Sequence, residues 1–333
     1  MDIQSIEGGR ARAELLSVLR EDGSADPAVD PALSADRVSA IYESMLRTRV
    51  VLEQLAALSA GGRIGFVPPA LGTEAAVVGA TVALREQDWV FPTTGDFGAA
   101  LARGVGLDAL AHRVLGSAHD PLKGRDMPGA LGARALRIAS SSAPAATHLP
   151  HAVGFAWAAR QRGEDLVTAA FFDAPEIDAA DFHTGLNFAG VMKAPTVFVC
   201  RVREGEESAA ERAVAYGIAS ARCDGSDLLA VVRTVGEAVD RAVEGHGATV
   251  IDLVIGEPGD ALRRTRAYLE RHGAWDEGRE RAVRSQVEDE LTLAIEVAAR
   301  EGHPPTRTLF DDVYARPLPE LERQRAELTS SRR

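Results

Sequence analysis

Cysteine is scarce in this chain: Cys200 and Cys223 are the only two among 333 residues. That argues against a disulfide framework and fits a reducing compartment. Aromatic residues make up 5% and are scattered over positions that read as core. No apolar run approaches the roughly 18 residues of a membrane span. The opening Met1-Asp2-Ile3-Gln4 lacks a basic region followed by an apolar core, so no signal peptide is expected. Positive charge is also short, 37 Lys and Arg against 49 Asp and Glu, for a net charge of −12. Such a surface repels phosphate backbones, which excludes nucleic acid as a partner class. There is no His/Cys cluster with zinc-ligand spacing, no Gly-x-Gly-x-x-Gly and no phosphate loop. Ser140-Ser141-Ser142 has no nucleophile-elbow pattern around it. The expectation is a soluble, cytoplasmic protein whose 46% hydrophobic content suffices for one large domain with appendages or two modest ones.

Residues 1–33 are rich in Ala, Asp, Gly and Pro and read as a flexible arm that orders against a partner. Ser34 can cap a helix whose apolar face is Val38, Ile41, Tyr42, Met45, Val50 and Leu52, ended by Gly61-Gly62. Thr73 opens an alanine-rich helix through Leu84, and a third helix spans Ala99 to Leu115, interrupted by Gly104 and Gly106. A short strand at Arg137-Ile138-Ala139 and a helix from Leu149 to Arg160 follow. Then comes a βαβ pattern: the strand Leu166 to Ala170, a helix from Asp178 to Met192, and the apolar run Thr196 to Cys200. Thr249 to Ile255 is a further buried strand, and Arg263 to Arg300 is helical with Val283, Val287, Leu291 and Ile295 on one face. The reading is an α/β domain at 34–262, a parallel sheet with helices on both faces, followed by a C-terminal helical segment at 263–333.

Several short words stand in a telling order. They include Arg63-Ile64-Gly65-Phe66-Val67-Pro68-Pro69, Gly72-Thr73-Glu74-Ala75-Ala76 and Asp88-Trp89-Val90-Phe91-Pro92. Gly124-Arg125-Asp126-Met127-Pro128-Gly129, Asp181-Phe182-His183-Thr184-Gly185 and Leu309-Phe310-Asp311-Asp312-Val313-Tyr314 continue the series. From about Val38 onward the chain resembles the alpha subunit of the thiamine-diphosphate-dependent 2-oxo acid dehydrogenases, the decarboxylating component of the pyruvate and branched-chain complexes. The resemblance implies the thiamine-diphosphate-binding fold, thiamine diphosphate and Mg²⁺ as cofactors, and a beta-type subunit as partner in a heterotetramer. Self-association and contact with a lipoyl acyltransferase core are the other partners it implies.

In that family an Asp in a Gly-Asp-Gly turn ends one strand, and an Asn about 30 residues later ends the next, both at the switch point of the sheet. These oxygens suit a hard divalent cation. Here the turn reads Asp173-Ala174-Pro175, with Ala174 at the metal-binding position and Arg203 where the Asn belongs. Alanine offers no ligand atom and a guanidinium repels the ion. The family's Tyr-Arg-Asp-His-Gly segment reads Thr94-Gly95-Asp96-Phe97-Gly98, and the histidine after the Met-Pro-Gly turn is Ala130. Two loops, between Cys200 and Tyr216 and between Ile255 and Tyr268, are short against the family pattern. Loops that close over a cofactor complete its site.

Three residues remain as cofactor-binding candidates: Asp173, as a ligand if the turn slips or otherwise a turn or helix-capping Asp; Arg203, as a cation for phosphate or otherwise part of a solvated cluster with Arg201, Glu204, Glu206 and Glu207; and His148, with His151, near the aminopyrimidine or otherwise structural. His183 reads as packing and Lys193 as a helix-end cation. No catalytic residue and no metal ligand set is assigned from the sequence. The expected function is an alpha-subunit-like, non-catalytic or regulatory partner. Two alternatives stand beside it: an active decarboxylating subunit, and a metal-free anion-binding interaction module.

Overall fold

The computed structural model describes residues 14–141, 144–256, 260–311 and 313–330. The first part of the expected arm and its opening Met1 to Gln4 lie outside the described residues. From Glu14 onward the arm is packed rather than free: Leu15–Leu16 form an edge strand, β1, and Val18 and Leu19 are buried. The flexible arm expected from composition therefore does not extend to residue 33. Pairing of β1 with β5 holds it, together with Asp227, whose carboxylate accepts hydrogen bonds from the Val18 and Leu19 amides at 2.6 Å each.

Two helices follow, α1 at Ala35–Ala60 and α2 at Glu74–Val82. Ser34 caps α1 as its sequence position suggests, accepting from the Arg37 amide at 3.2 Å, and Gly61 ends it. Next come β2 at Trp89–Phe91, α3 at Phe97–Ala102 and α4 at Leu107–Leu115. The expected third helix is thus two, because Gly104 adopts φ +95° between them. The predicted strand around Ile138 is reduced to two isolated bridges, parallel to Val90 and antiparallel to Ala133.

The chain continues through α5 at His148–Gln161, β3 at Thr168–Asp173, α6 at Ala180–Met192 and β4 at Thr196–Val202. The βαβ unit is present, and β3 runs on through Phe171 and Phe172 to Asp173. A short helix α7 at Ala209–Ala213 precedes β5 at Ala219–Asp224, α8 at Leu228–Val243 and β6 at Thr249–Val254. Four helices complete the described residues: α9 at Asp260–Arg271, α10 at Glu277–Arg300, α11 at Thr308–Asp311 and α12 at Pro319–Ser330.

The six strands among the described residues form one parallel sheet in the order β1-β5-β6-β4-β3-β2. Period-two alternation sorts its side chains onto two faces. Ala169, Phe171, Val197 and Val199 join the core formed with α1, α2 and α8. Ala170, Phe172, Phe198 and Cys200 face α5 and α6 instead. A third cluster joins α1, α3 and α4 to α10 through Leu55, Phe97, Leu110, Val114, Leu291 and Ile295. The face predicted for the C-terminal helix is therefore buried against the front of the chain, which binds the helical segment to the α/β body.

Close packing of α6 depends on a glycine. A Cβ placed on Gly190 would lie 2.2 Å from the Tyr216 carbonyl oxygen, so no other residue fits without backbone movement.

A polar lock at the strand tips

In parallel α/β sheets ligands gather at the carboxyl ends of the strands. Here the ends of β2, β3 and β4 converge on one guanidinium. Asp173, the last residue of β3, is the register partner of Arg201 in β4. Phe171 and Val199, two residues earlier on each strand, are also partners, so alternation carries Asp173 and Arg201 to the same face. Arg201 donates from Nε to Asp173 Oδ1 at 2.7 Å and from Nη2 to Oδ2 at 2.9 Å. This is the two-pronged geometry that suits guanidinium and carboxylate.

The remaining Arg201 donors turn to the loop after β2. Nη1 donates to Asp96 Oδ1, and Nη2 reaches Thr93 Oγ1 at 3.1 Å. Asp96 Oδ2 is held in turn by the Thr93 amide at 2.7 Å and the Thr93 hydroxyl at 2.9 Å. Gly95 allows this tight turn with φ +103°, and its amide donates to the Gly129 carbonyl at 3.1 Å, drawing the Met127-Pro128-Gly129 loop alongside. Arg201 is 7% exposed and Asp96 5%, whereas half of the Asp173 side chain meets solvent.

The charges sustain one another. Burial works against the Arg201 cation, but Asp96 and Asp173 more than offset it and hold the guanidinium charged. Burial also opposes the Asp173 anion. The Arg201 charge and its hydrogen bonds outweigh that burial, with smaller help from Arg203 and His148, and the carboxyl sits below its usual range. Burial, with Asp252 and Asp173 nearby, pushes the Cys200 thiol well up, so this cysteine is an inert core residue.

The three sequence candidates are only partly brought together. Asp173 is in the network. Arg203 is not: it lies beyond the end of β4 with its side chain exposed, and its amide donates to Glu206 Oε2 at 2.8 Å. Arg201, expected in a solvated cluster, is instead buried and bound to the carboxylates of Asp173 and Asp96. His148 opens α5 and is 2% exposed. Its Nε2 donates to the Phe171 carbonyl at 2.5 Å, which leaves Nδ1 buried without a hydrogen-bond partner among the described residues. His151 is exposed. His183 pairs with the Tyr216 hydroxyl and packs on Phe182, in keeping with a structural role. Lys193 takes the left-handed C-cap of α6.

The turn after β3 offers little to a cation. Ala174 is buried and starts a 3₁₀ turn through Asp178. Glu176 folds back to accept from the Asp173 amide at 3.0 Å and from the Ala146 amide at 2.5 Å. Phe97, at the histidine position of the family segment, is wholly buried in the helical core, and Ala130 is buried as well. Asp96 and Arg201 are the partners of Asp173's network that sequence reasoning named without pairing them. Their signal was present: an Asp and an Arg, each beside apolar strand or helix residues, must find partners when buried.

A family model described as the dehydrogenase E1 component matches residues 42–255. The alpha subunit of mitochondrial 2-oxoisovalerate dehydrogenase from Mus musculus is 31% identical, with 91% of this chain and 76% of that protein aligned. The corresponding alpha subunit of Bacillus subtilis (strain 168) is also 31% identical, over 83% of this chain and 94% of its own. A solved Mycobacterium smegmatis chain described as thiamin diphosphate-dependent overlaps 55% of this chain and 32% of its own at 15% identity and a TM-score of 0.37, too partial a likeness to add to the sheet topology. With the strand order, the converging tips and these relatives in view, the chain belongs to the E1 dehydrogenase alpha-subunit family.

Proposed function

We propose that this chain is an alpha-subunit-type partner that keeps the fold and the pairing faces of its family but does not hold Mg²⁺–thiamine diphosphate. The observation that carries the reading is the Arg201 clamp on Asp173 and Asp96. A divalent cation needs free oxygen donors. Here the carboxylates at the strand tips are committed to a guanidinium, Ala174 contributes no ligand atom and Arg203 adds a second positive charge. The donor set does not fit the ion.

Pairing with a beta-type subunit is supported by the alpha-subunit relatives. In support, Phe155 and Trp157 on α5 and Phe188 and Val191 on α6 expose apolar surface that a partner subunit would cover. The role is regulatory or stabilising within such an assembly, in the cytoplasm. Calorimetry with Mg²⁺ and thiamine diphosphate on the chain co-purified with its beta-type subunit tests the reading. No metal-dependent heat is expected, and tight metal-dependent binding refutes it.

A second reading is supported by the half-exposed Asp173 carboxylate and the unpartnered His148 Nδ1. On that reading the chain is a working decarboxylating subunit for a 2-oxo acid. It requires turnover of pyruvate or a branched-chain 2-oxo acid by the assembled complex, abolished by Asp173→Ala. Absence of turnover in the wild-type complex removes it.

A further inference from the structure

We infer that the chain carries a divalent transition-metal site, best matched to Zn²⁺, where α4 and α10 end, formed by His112, His119 and Glu301 and separate from the strand tips. One ligand atom from each of the three lies within 4.8 Å of the others. His112 Nδ1 is 3.5 Å from Glu301 Oε2, and His119 Nδ1 contacts the same oxygen. Ligands about 2.0–2.2 Å from a tetrahedral zinc lie roughly 3.4 Å from one another, so the His112–Glu301 edge already has the required length. The His112 and His119 rings stand edge to face with centroids 5.4 Å apart. Admitting the ion asks His119, which is 67% exposed, to swing back from its direct contact with Glu301 to that same spacing.

The local fold supplies a second reason for a cation here. His112 sits in the last turn of α4, which Gly116 ends in the left-handed region. Glu301 is the residue at which α10 ends. The two helix ends are tied together by the Ala118 amide donating to the Gly302 carbonyl at 2.9 Å. Each helix C-terminus carries a partial negative charge, and two of them meet at this point.

The donors select the metal. Two imidazoles and one carboxylate suit zinc, whereas Mg²⁺ and Ca²⁺ require oxygen ligands throughout. Three protein ligands leave a fourth position for water. Without metal, Ser117 Oγ is the 2.7 Å partner of His112 Nδ1, and it competes with the ion for that lone pair. Occupancy would pin the end of α10 to the loop that runs from Ser117 to Gly129. That loop in turn touches Gly95 beside the Asp96 lock.

The test uses the full chain stripped with EDTA and titrated with ZnCl₂, alongside His119→Ala and Glu301→Gln. Both altered residues are at or near the surface, so the variants retain the fold. One equivalent of zinc is expected on the wild type, with affinity weakened at least about tenfold in each variant, since even outer-shell changes cost that much. Co²⁺ should give a tetrahedral visible spectrum in the wild type that both variants lose. No zinc binding, or binding of unchanged affinity in either variant, overturns the assignment.

Discussion

Asp173 and Arg201 stand opposite each other on neighbouring parallel strands and are joined by two hydrogen bonds, 2.7 and 2.9 Å long. Twenty-eight residues of chain separate them, and a third strand end adds Asp96 from 105 residues away. One buried guanidinium thereby ties three strand tips together at the carboxyl edge of the sheet, where open parallel α/β sheets as a class gather ligands.

Removing that guanidinium leaves the buried Asp96 without a counter-charge. Arg201→Met should cost about 3–5 kcal/mol, the range for breaking a buried ion pair. Urea unfolding of wild type and variant measures it. A loss within experimental error would mean that the lock is ornamental.

The Asp173 carboxyl is held below its ordinary range because the Arg201 charge outweighs the opposing effect of burial. A lowered folded value means stability that is present above the unfolded value, about 3.9, and is lost as pH falls through the folded one. The advantage of wild type over Asp173→Asn in urea midpoint should therefore be full near neutrality and shrink progressively below about pH 4. Asp227 and Asp252, whose carboxyls are raised chiefly by burial, are common to both proteins and cancel in the comparison. An advantage that persists unchanged at strongly acid pH would contradict the assignment.

Asp227 is both the cap of α8, accepting from the Leu229 and Ala230 amides at 3.0 and 3.1 Å, and the anchor of Val18 and Leu19. Asp227→Ala should lower stability by about 2 kcal/mol, combining a lost cap with orphaned amides. It should also free the segment after β1. Hydrogen exchange reads this directly: the Val18 and Leu19 amides become fast while the centre of β4 stays protected. Equal protection in both proteins would show that edge pairing alone holds the segment.

Gly190→Ala drives a methyl group into the Tyr216 carbonyl. Overpacking of this kind costs about 1–3 kcal/mol, and the contact with rigid backbone places it at the upper end. Thermal unfolding should show a clearly lowered midpoint, whereas Gly154→Ala on α5, where an added Cβ meets nothing within 4 Å, should be neutral or stabilising.

The βαβ unit, the cap at Ser34 and the apolar face of α10 were legible because each rests on local spacing: period two for β3 and β4, and period 3.6 for the helices. The strand β5 was not, since Ala219-Ser220-Ala221-Arg222-Cys223-Asp224 carries no apolar run. Its strand character comes from pairing with β6 on one side and β1 on the other, with Arg222 lying 3.5 Å from Asp252. Likewise the arm looked unstructured by composition, yet a distant aspartate fastens its second half.

What the amino-acid order determined was the kind of sheet, the two strand ends and an alanine at 174, which brings no side-chain oxygen to the turn. Those follow from residue type and short-range periodicity, which act within a few positions. Which arginine meets Asp173 was decided only by the folded chain. Arg201 and Arg203 share a strand face by alternation, so sequence spacing treats them alike. The register of β4 against β3 puts one at the tip and leaves the other in solvent, and that register is set by packing along the whole length of both strands.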